Sequence, residues 1–200
     1  MLRPYLSALL LSASVMISAQ SSPPAGSATQ AMYDAKTRST QKKFDYIRQN
    51  GSKTKPDPAP TVLSESEVNA WLTSGNAELP KGVKRLQFSS EPNIIHATAT
   101  VDFDQITAGK SSSNPLLNLF SGTHEVKATA DAAGSGRQGH VHINSVSIDG
   151  VSVPKMALSF FADKYITPKY PNLGVDSTFA LPYRIDTAIV GDHQLTVFQK

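Results

Sequence analysis

The sequence predicts an α+β fold: a curved antiparallel sheet of about six strands with two main helices packed on one face, preceded by a polar N-terminal helix. Two observations support this class. Six short segments alternate apolar and polar residues and pair into three hairpins. Two further segments have helical spacing and fall between or before those hairpins. Such a chain must lay its helices on one face of an antiparallel sheet.

Residues 1–27 read as a signal peptide and a flexible leader. Arg3 precedes an apolar run from Leu6 to Ala19. This run is too short and too rich in Ser and Ala for a typical membrane span. The pattern predicts a secretory signal cut near Gln20, with an uncleaved anchor as the alternative. The sequence contains no cysteine, which excludes disulfides and cysteine metal sites. We therefore expect a periplasmic or secreted protein that folds by packing alone.

Residues 28–60 are predicted to form a basic helical arm and a Pro-rich linker. The stretch 29–49 lacks Pro and Gly and reads as a polar helix. Seven basic and two acidic residues give 28–55 a net positive charge, whereas 56–200 carries eleven basic and fourteen acidic residues. Such an arm can contact an anionic membrane surface weakly, and a solvated helix face is the alternative. Nucleic acid is not an expected partner, because the main domain is acidic and exported.

Residues 61–200 are expected to form the main α+β domain. It opens with Ser64-Glu-Ser-Glu67, a capping-box pattern that predicts a helix at 65–74. Two hairpins follow, formed by 83–89 with 94–104 and by 123–131 with 140–148, and a short apolar turn or helix at 114–120 lies between them.

The C-terminal part of this domain adds the second helix and the last hairpin. Pro154 begins a helix with apolar residues at three-and-four spacing, and Pro168 ends it. The hairpin joins 184–190 to 194–198. A three-residue loop at 191–193 pairs Ile189 with Leu195, which matches apolar faces better than a two-residue loop.

Alanine occupies the middle of the apolar face in two central strands, 94–104 and 123–131. Alanine is a poor strand former and buries little area, so something else must fill the space in front of it. In one interpretation bulky helix residues fill that space and the core is dry. In the other, the sheet curves away and leaves an elongated apolar cavity, where about ten methylenes could be held at ~0.8 kcal/mol each. The candidate ligand-binding residues are Trp71, Ile95, Ala97, Ala99, Val101, Val126, Ala128, Ala130, Ala157, Phe160, Phe161 and Tyr165.

Four motifs in 61–200 resemble a known family. They are Leu63-Ser-Glu-Ser-Glu-Val-Asn69, Pro80-Lys-Gly-Val83, Gly150-Val-Ser-Val-Pro154 and Gly191-Asp-His-Gln-Leu-Thr-Val197. Together they resemble bacterial envelope proteins with a TULIP-like (tubular lipid-binding) domain, including the LmeA-like group. The resemblance implies a curved sheet around a long helix, with lipid bound between them. The chain departs from that pattern in its basic arm and in the polar loop at 111–113.

Catalytic motifs are weak, so we predict no enzyme, no cofactor and no metal site. Ser152-Val-Pro-Lys155 has the Ser-x-x-Lys spacing, but its companion motifs are missing. His140 and His142 share a strand face and need a third ligand, such as His96, to hold zinc; solvent-facing histidines are the expectation. The predicted function is an exported binding protein for a lipid or another long apolar molecule, acting as carrier or sensor. The alternative is an envelope scaffold or interaction protein with a filled core and no small ligand.

Overall fold

The computed structural model describes residues 25–107 and 120–200, with side chains from residue 28 onward. This part of the chain is an α+β fold with an open antiparallel sheet of nine strands and four helices. The predicted class is confirmed, and the predicted detail of about six strands and two main helices is matched only roughly. The predicted signal peptide and most of the predicted turn or helix at 114–120 lie outside the described residues.

The elements follow one another in the order helix, strand, helix, strand pair, helix, strand pair, short strand, helix and three strands. The helices are α1 Ala25–Ser52, α2 Glu65–Thr73, α3 Phe103–Thr107 and α4 Lys155–Phe161, which continues in a π-helical turn, Ala162–Ile166. The strands are β1 Thr61–Ser64, β2 Val83–Glu91, β3 Ile94–Asp102, β4 Thr123–Ser135, β5 Gln138–Ile148, β6 Val151–Ser152, β7 Asp176–Ala180, β8 Ile185–Gly191 and β9 Gln194–Gln199.

The sheet is organised around the long strand β4. The strand order is β1-β9-β8-β4-β3-β2, and β5 pairs with β4 on its other edge and carries β6 and β7. β3 and β8 share one edge of β4, because β3 pairs only up to Asp131 and β8 meets β4 at Gly134. The turn from β4 to β5 has positive φ at both Gly136 and Arg137 (57° and 65°), as a tight type I′ hairpin requires.

The capping box at the start of α2 is confirmed. The Ser64 hydroxyl accepts from the Glu67 N–H at 3.3 Å, and the Glu67 carboxylate accepts from the Ser64 N–H at 2.9 Å. Lys43 and Ser39 of α1 donate to the same carboxylate at 2.7 and 2.6 Å. Burial alone would raise the pKa of Glu67, but these hydrogen bonds outweigh it and lower the pKa to about 2. One carboxylate therefore caps α2 and joins it to α1.

The C-terminal half of α1 packs on the sheet. Ile47 lies in a buried cluster with Ile185 and Val197, which we call the α1 cluster; Phe44, Leu181, Ala188 and Leu195 pack against it. Asn50 is buried and donates to the Gln199 side chain at 2.9 Å, and Gln199 donates in turn to the Ile47 carbonyl at 2.7 Å. The helix extends beyond the predicted end at 49, because Asn50 is anchored by these bonds and does not stop the helix.

The last hairpin differs from its predicted register. Ile189 pairs with Thr196 and is 48% exposed, while Val190 pairs with Leu195. The turn has two residues, and His193 adopts the positive φ of 51°. A bulge between Ile185 and Thr187 returns Ile185 to the apolar face, so the buried residues do not follow simple alternation.

Candidate functional site

The apolar faces of β3 and β4 form one continuous surface, which we call the alanine stripe: Ile95, Ala97, Ala99, Val126, Ala128 and Ala130. Ala97 pairs with Ala128, Ala99 with Val126, and Ile95 with Ala130. Phe88 of β2 pairs with Ala97 on one side, and Val146 of β5 pairs with Ala128 on the other. Burial alternates along most of β4 as predicted, whereas residues 94–100 of β3 are all half-buried. The small side chains are flanked by larger ones.

One end of the stripe is filled by a second buried cluster, which we call the α4 cluster. It contains Val101, Phe103, Phe120, Val146, Ile148, Val153, Ala157, Phe161 and Tyr165, with Ala99, Val126 and Ala128 packed against it. Phe161 stacks on Phe120 with ring centroids 4.2 Å apart, and Phe103 meets Phe161 edge-on at 5.6 Å. Of the predicted site residues, Val101, Ala157, Phe161 and Tyr165 are therefore buried core residues at this end.

The other end of the stripe borders an apolar pocket of about 200 Å³. Ile95 and Phe88 form its floor, and Val68 of α2 lies on its wall. The remaining apolar lining is Leu63, Val190 and Leu195, and the polar residues are Glu65, Ser89, Ser90 and Gln194. The predicted residue Ile95 is therefore part of a pocket, although α2 and β9 form its walls instead of α4.

The middle of the stripe is neither buried nor fully exposed. Ala97, Ala99, Ala128 and Ala130 are all half-buried. Ala97 and Ala130 lie outside the residues that pack against either buried cluster. The surface from Ile95 to Ala99 spans about 13 Å at the usual strand rise. It presents only apolar side chains, so it can contact a hydrocarbon chain and offers it no hydrogen bond.

Two predicted site residues lie elsewhere. Trp71 packs between α2 and α1: its Nε1 donates to the Gln41 side chain at 3.1 Å, and its ring meets Phe44 edge-on at 4.9 Å. Phe160 is 46% exposed. Neighbouring helix positions are about 100° apart, so Phe160 and Phe161 cannot both face the sheet. The structure thus places Trp71 between α1 and α2 and leaves Phe160 exposed, and neither belongs to the α4 cluster that packs on the alanines.

A hydrogen-bonded junction closes the rim of the apolar pocket. The Glu65 carboxylate contacts His193 Nδ1 at 2.7 Å and accepts from the Ser90 N–H at 3.2 Å. The Glu65 N–H also donates to the His193 carbonyl at 2.9 Å. The hydrogen bond to Glu65, followed by the nearby charge of Asp192, raises the pKa of His193 above its ordinary value. The start of α2 and the tips of two hairpins are thereby joined at one point.

The histidines considered for zinc each have a hydrogen-bond partner other than a second histidine. His140 Nδ1 lies 3.1 Å from Thr178 Oγ1, and His142 pairs with Asp176 on the neighbouring strand. His96 is hydrogen-bonded to Thr129 at 3.1 Å. Among the residues that the structure describes, no group of three or more His, Cys, Asp or Glu side chains could hold a metal ion.

A larger cleft, of about 540 Å³, was not predicted from the sequence. It lies between the N-terminal half of α1 and the polar faces of β2 and β3. Tyr33 and Lys36 line its helix side, and His96 and Thr98 line its sheet side. These residues are ordinary polar positions in the sequence. Only the docking of α1 beside the hairpin brings them together, so no local pattern could have indicated them.

No helix within residues 25–107 and 120–200 is both long enough and apolar enough to cross a membrane. Comparison with known proteins gives no match: neither a protein-family model, nor a curated protein, nor a solved structure is similar to this chain.

Proposed function

We propose that the protein is an exported binding protein that holds a lipid or another long apolar molecule between a curved sheet and its helices, as a carrier or sensor. The observation that carries this proposal is the half-buried middle of the alanine stripe. Ala97 and Ala130 belong to neither buried cluster and lie next to an apolar pocket. A hydrocarbon chain laid on this surface would complete its burial at about 25 cal/mol per Å² of apolar area.

The pose that fits these contacts places the chain along β3. Its end would enter the pocket at Ile95 and Phe88, and its middle would lie over Ala97 and Ala130. Phe161 would form the stop at the filled end, since it is buried against Phe120. The motif resemblance to TULIP-like domains of the LmeA-like group belongs to the same proposal, as do export by the N-terminal signal and a periplasmic or secreted location.

The exposed basic side chains of α1 fit a weak contact with an anionic membrane surface. Arg38, Lys42 and Arg48 are exposed, and the opposite side of the helix is packed through Thr40 and Ile47. Lys43 does not contribute, because Glu67 neutralises it at 2.7 Å, and Asp45 offsets part of the charge of Arg48 at 3.4 Å. Each suitably placed basic residue contributes roughly 1 kcal/mol, and added salt weakens the attraction. Such a contact would bring the stripe close to a source of ligand.

The test fills the middle of the stripe. We expect Ala97→Leu and Ala130→Leu to reduce binding of a fluorescent fatty acid at least tenfold, because the new side chain occupies the space of the hydrocarbon. The free energy of unfolding should change by less than about 1 kcal/mol, since an open surface avoids the roughly 1–3 kcal/mol cost of overpacking. The measurements are fluorescence titration and urea denaturation.

Ala133→Leu is the matched control, because Ala133 is exposed on the opposite face of the same strand. It should bind the fatty acid as the wild type does. Strong destabilisation by both stripe variants, together with a wild type that binds no fatty acid, would contradict the proposal. A filled core would then favour the scaffold or interaction protein.

A further inference from the structure

The cleft beside α1 lies on the opposite side of the sheet from the alanine stripe. Its sheet side comes from positions that alternate with the alanines: Gln87 pairs with Thr98, and Ser89 pairs with His96. Its volume of about 540 Å³ falls within the usual range of small-molecule sites, about 300–1,000 Å³. The cleft is therefore large enough for a ligand of its own.

Lys36 is the main charged group on the helix side of the cleft. Its side chain is half-buried, and its ammonium forms no hydrogen bond or ion pair with another described residue. Across the cleft, the side chains of Gln87 and Thr98 also lack a partner within the described residues. An ammonium that has lost part of its water without gaining a partner favours an anion. The hydroxyl and the amide can donate to the same anion.

Several other polar groups around the cleft are already engaged. The Glu65 carboxylate is held by His193 and the Ser90 N–H on the pocket side. The Asn69 side chain is occupied by the Phe88 backbone at 2.7 and 2.8 Å. His96 Nδ1 is bonded to Thr129, and its Nε2 lies 3.6 Å from Glu91. Among the described residues that line the cleft, Lys36, Gln87 and Thr98 therefore remain as available donors, as do the hydroxyls of Tyr33 and Ser89.

We propose that this cleft binds a phosphomonoester, with Lys36 pairing with the phosphate oxygens from the helix and Thr98 and Gln87 donating from the sheet. The carbon part of the ligand would lie against Met32 and Tyr33, which are 60% and 51% exposed at the helix side. A free metabolite and a lipid headgroup both carry this chemistry. This proposed phosphate site does not depend on the proposed lipid binding, since no residue of the alanine stripe lines the cleft.

The experiment is isothermal titration calorimetry on the full chain with two probes, glycerol 3-phosphate and dihexanoyl phosphatidic acid. We expect Lys36→Gln and Thr98→Val each to weaken binding of the preferred probe about tenfold or more, because one variant alters each wall of the cleft. Lys42→Gln is the matched control: Lys42 is on the same helix but is exposed and outside the cleft. It should bind like the wild type.

The two probes distinguish the sources of the phosphate. Equal binding of both, unaffected by Ala97→Leu, supports a free phosphomonoester. Binding of phosphatidic acid alone supports a lipid headgroup. If neither probe binds at millimolar concentration, or if Lys42→Gln weakens binding as much as Lys36→Gln, the proposal is overturned. The fatty-acid titration does not involve Lys36. Its outcome is therefore independent of whether the cleft binds either phosphate probe.

Discussion

At the scale of single residues, Glu67 connects more of the structure than any local pattern around it suggests. Its carboxylate caps α2 through Ser64 and receives Lys43 and Ser39 from α1. Only 13% of its side chain is exposed. Hydrogen bonds to a charged group in such a place are individually strong, about 1.5–3 kcal/mol each. These bonds stabilise the ionised carboxylate, and the low pKa of Glu67 results from that stabilisation.

The pKa of Glu67 predicts how stability depends on pH. Its folded pKa of about 2 lies below the ordinary value of 4.5, so its contribution is complete above pH 4.5 and is lost as the pH falls toward 2. We expect Glu67→Gln to lose roughly 2–4 kcal/mol of unfolding free energy at pH 7. The variant should also lose the part of the acid dependence that Glu67 supplies. Urea denaturation at several pH values between 7 and 2 measures both effects.

Glu78→Gln is the control for this prediction, because Glu78 is exposed. It should unfold like the wild type at pH 7. If Glu67→Gln has wild-type stability at pH 7 and the same acid dependence, Glu67 does not join α1 to α2 energetically.

At the scale of elements, α1 packs against the rest of the fold through one of its faces. Ile47 packs against Ile185 and Val197, while Arg48 beside it is exposed. We expect Ile47→Ala to reduce the free energy of unfolding by about 2–4 kcal/mol, the usual cost of a cavity in a buried cluster. Urea denaturation followed by the fluorescence of Trp71, the only tryptophan in the chain, measures this loss.

Arg48→Ala tests whether the loss of stability expected for Ile47→Ala depends on the face of α1 that packs on the sheet. This arginine makes an exposed ion pair with Asp45 at 3.4 Å, which contributes at most about 1 kcal/mol. Similar losses in both variants would mean that α1 is held by general helix stability and not by the α1 cluster.

Elements with strong local signals could be predicted, and those defined by distant contacts could not. The capping box at Ser64 and the alternation through Ala97 and Ala128 each depend on neighbours in sequence, and both were predicted. β7 is short and polar, and it becomes a strand because β5 pairs with it. Trp71 could not be assigned to a partner, because periodicity gives a helix face but does not show which element covers it. The cleft at Lys36 required the position of α1, which is a tertiary property.

At the scale of the whole molecule, β4 connects the parts of the sheet on which the two buried clusters pack. The α4 cluster packs on β4 through Val126 and Ala128, and the α1 cluster approaches it through Leu181 and Ala188. Gly134 is the point of contact with the residues that pack against the α1 cluster. A β-carbon at this position would lie 2.8 Å from the Ala188 Cβ and 3.0 Å from the Leu181 Cδ1.

We therefore expect Gly134→Ala to lower the free energy of unfolding by about 1–3 kcal/mol, the usual cost of overpacking. The loss should appear in urea denaturation by circular dichroism. Gly174→Ala is the control, since its new β-carbon would lie 3.8 Å from the Asp176 carbonyl oxygen, an ordinary van der Waals contact. A Gly134→Ala protein as stable as the Gly174→Ala protein would show that β4 and β8 can separate without cost.

The hydrogen bonds of Asn69 have a consequence for how molecules of this protein meet one another. β2 ends the strand order, and a free strand edge is a template on which another chain can add by backbone pairing. At Phe88 both backbone groups are already taken, because the Asn69 amide accepts from the N–H and donates to the carbonyl. The Asn69 side chain thus occupies the hydrogen-bonding positions that a further strand would use, and the sheet ends there. Edge-to-edge polymerisation would first have to displace α2.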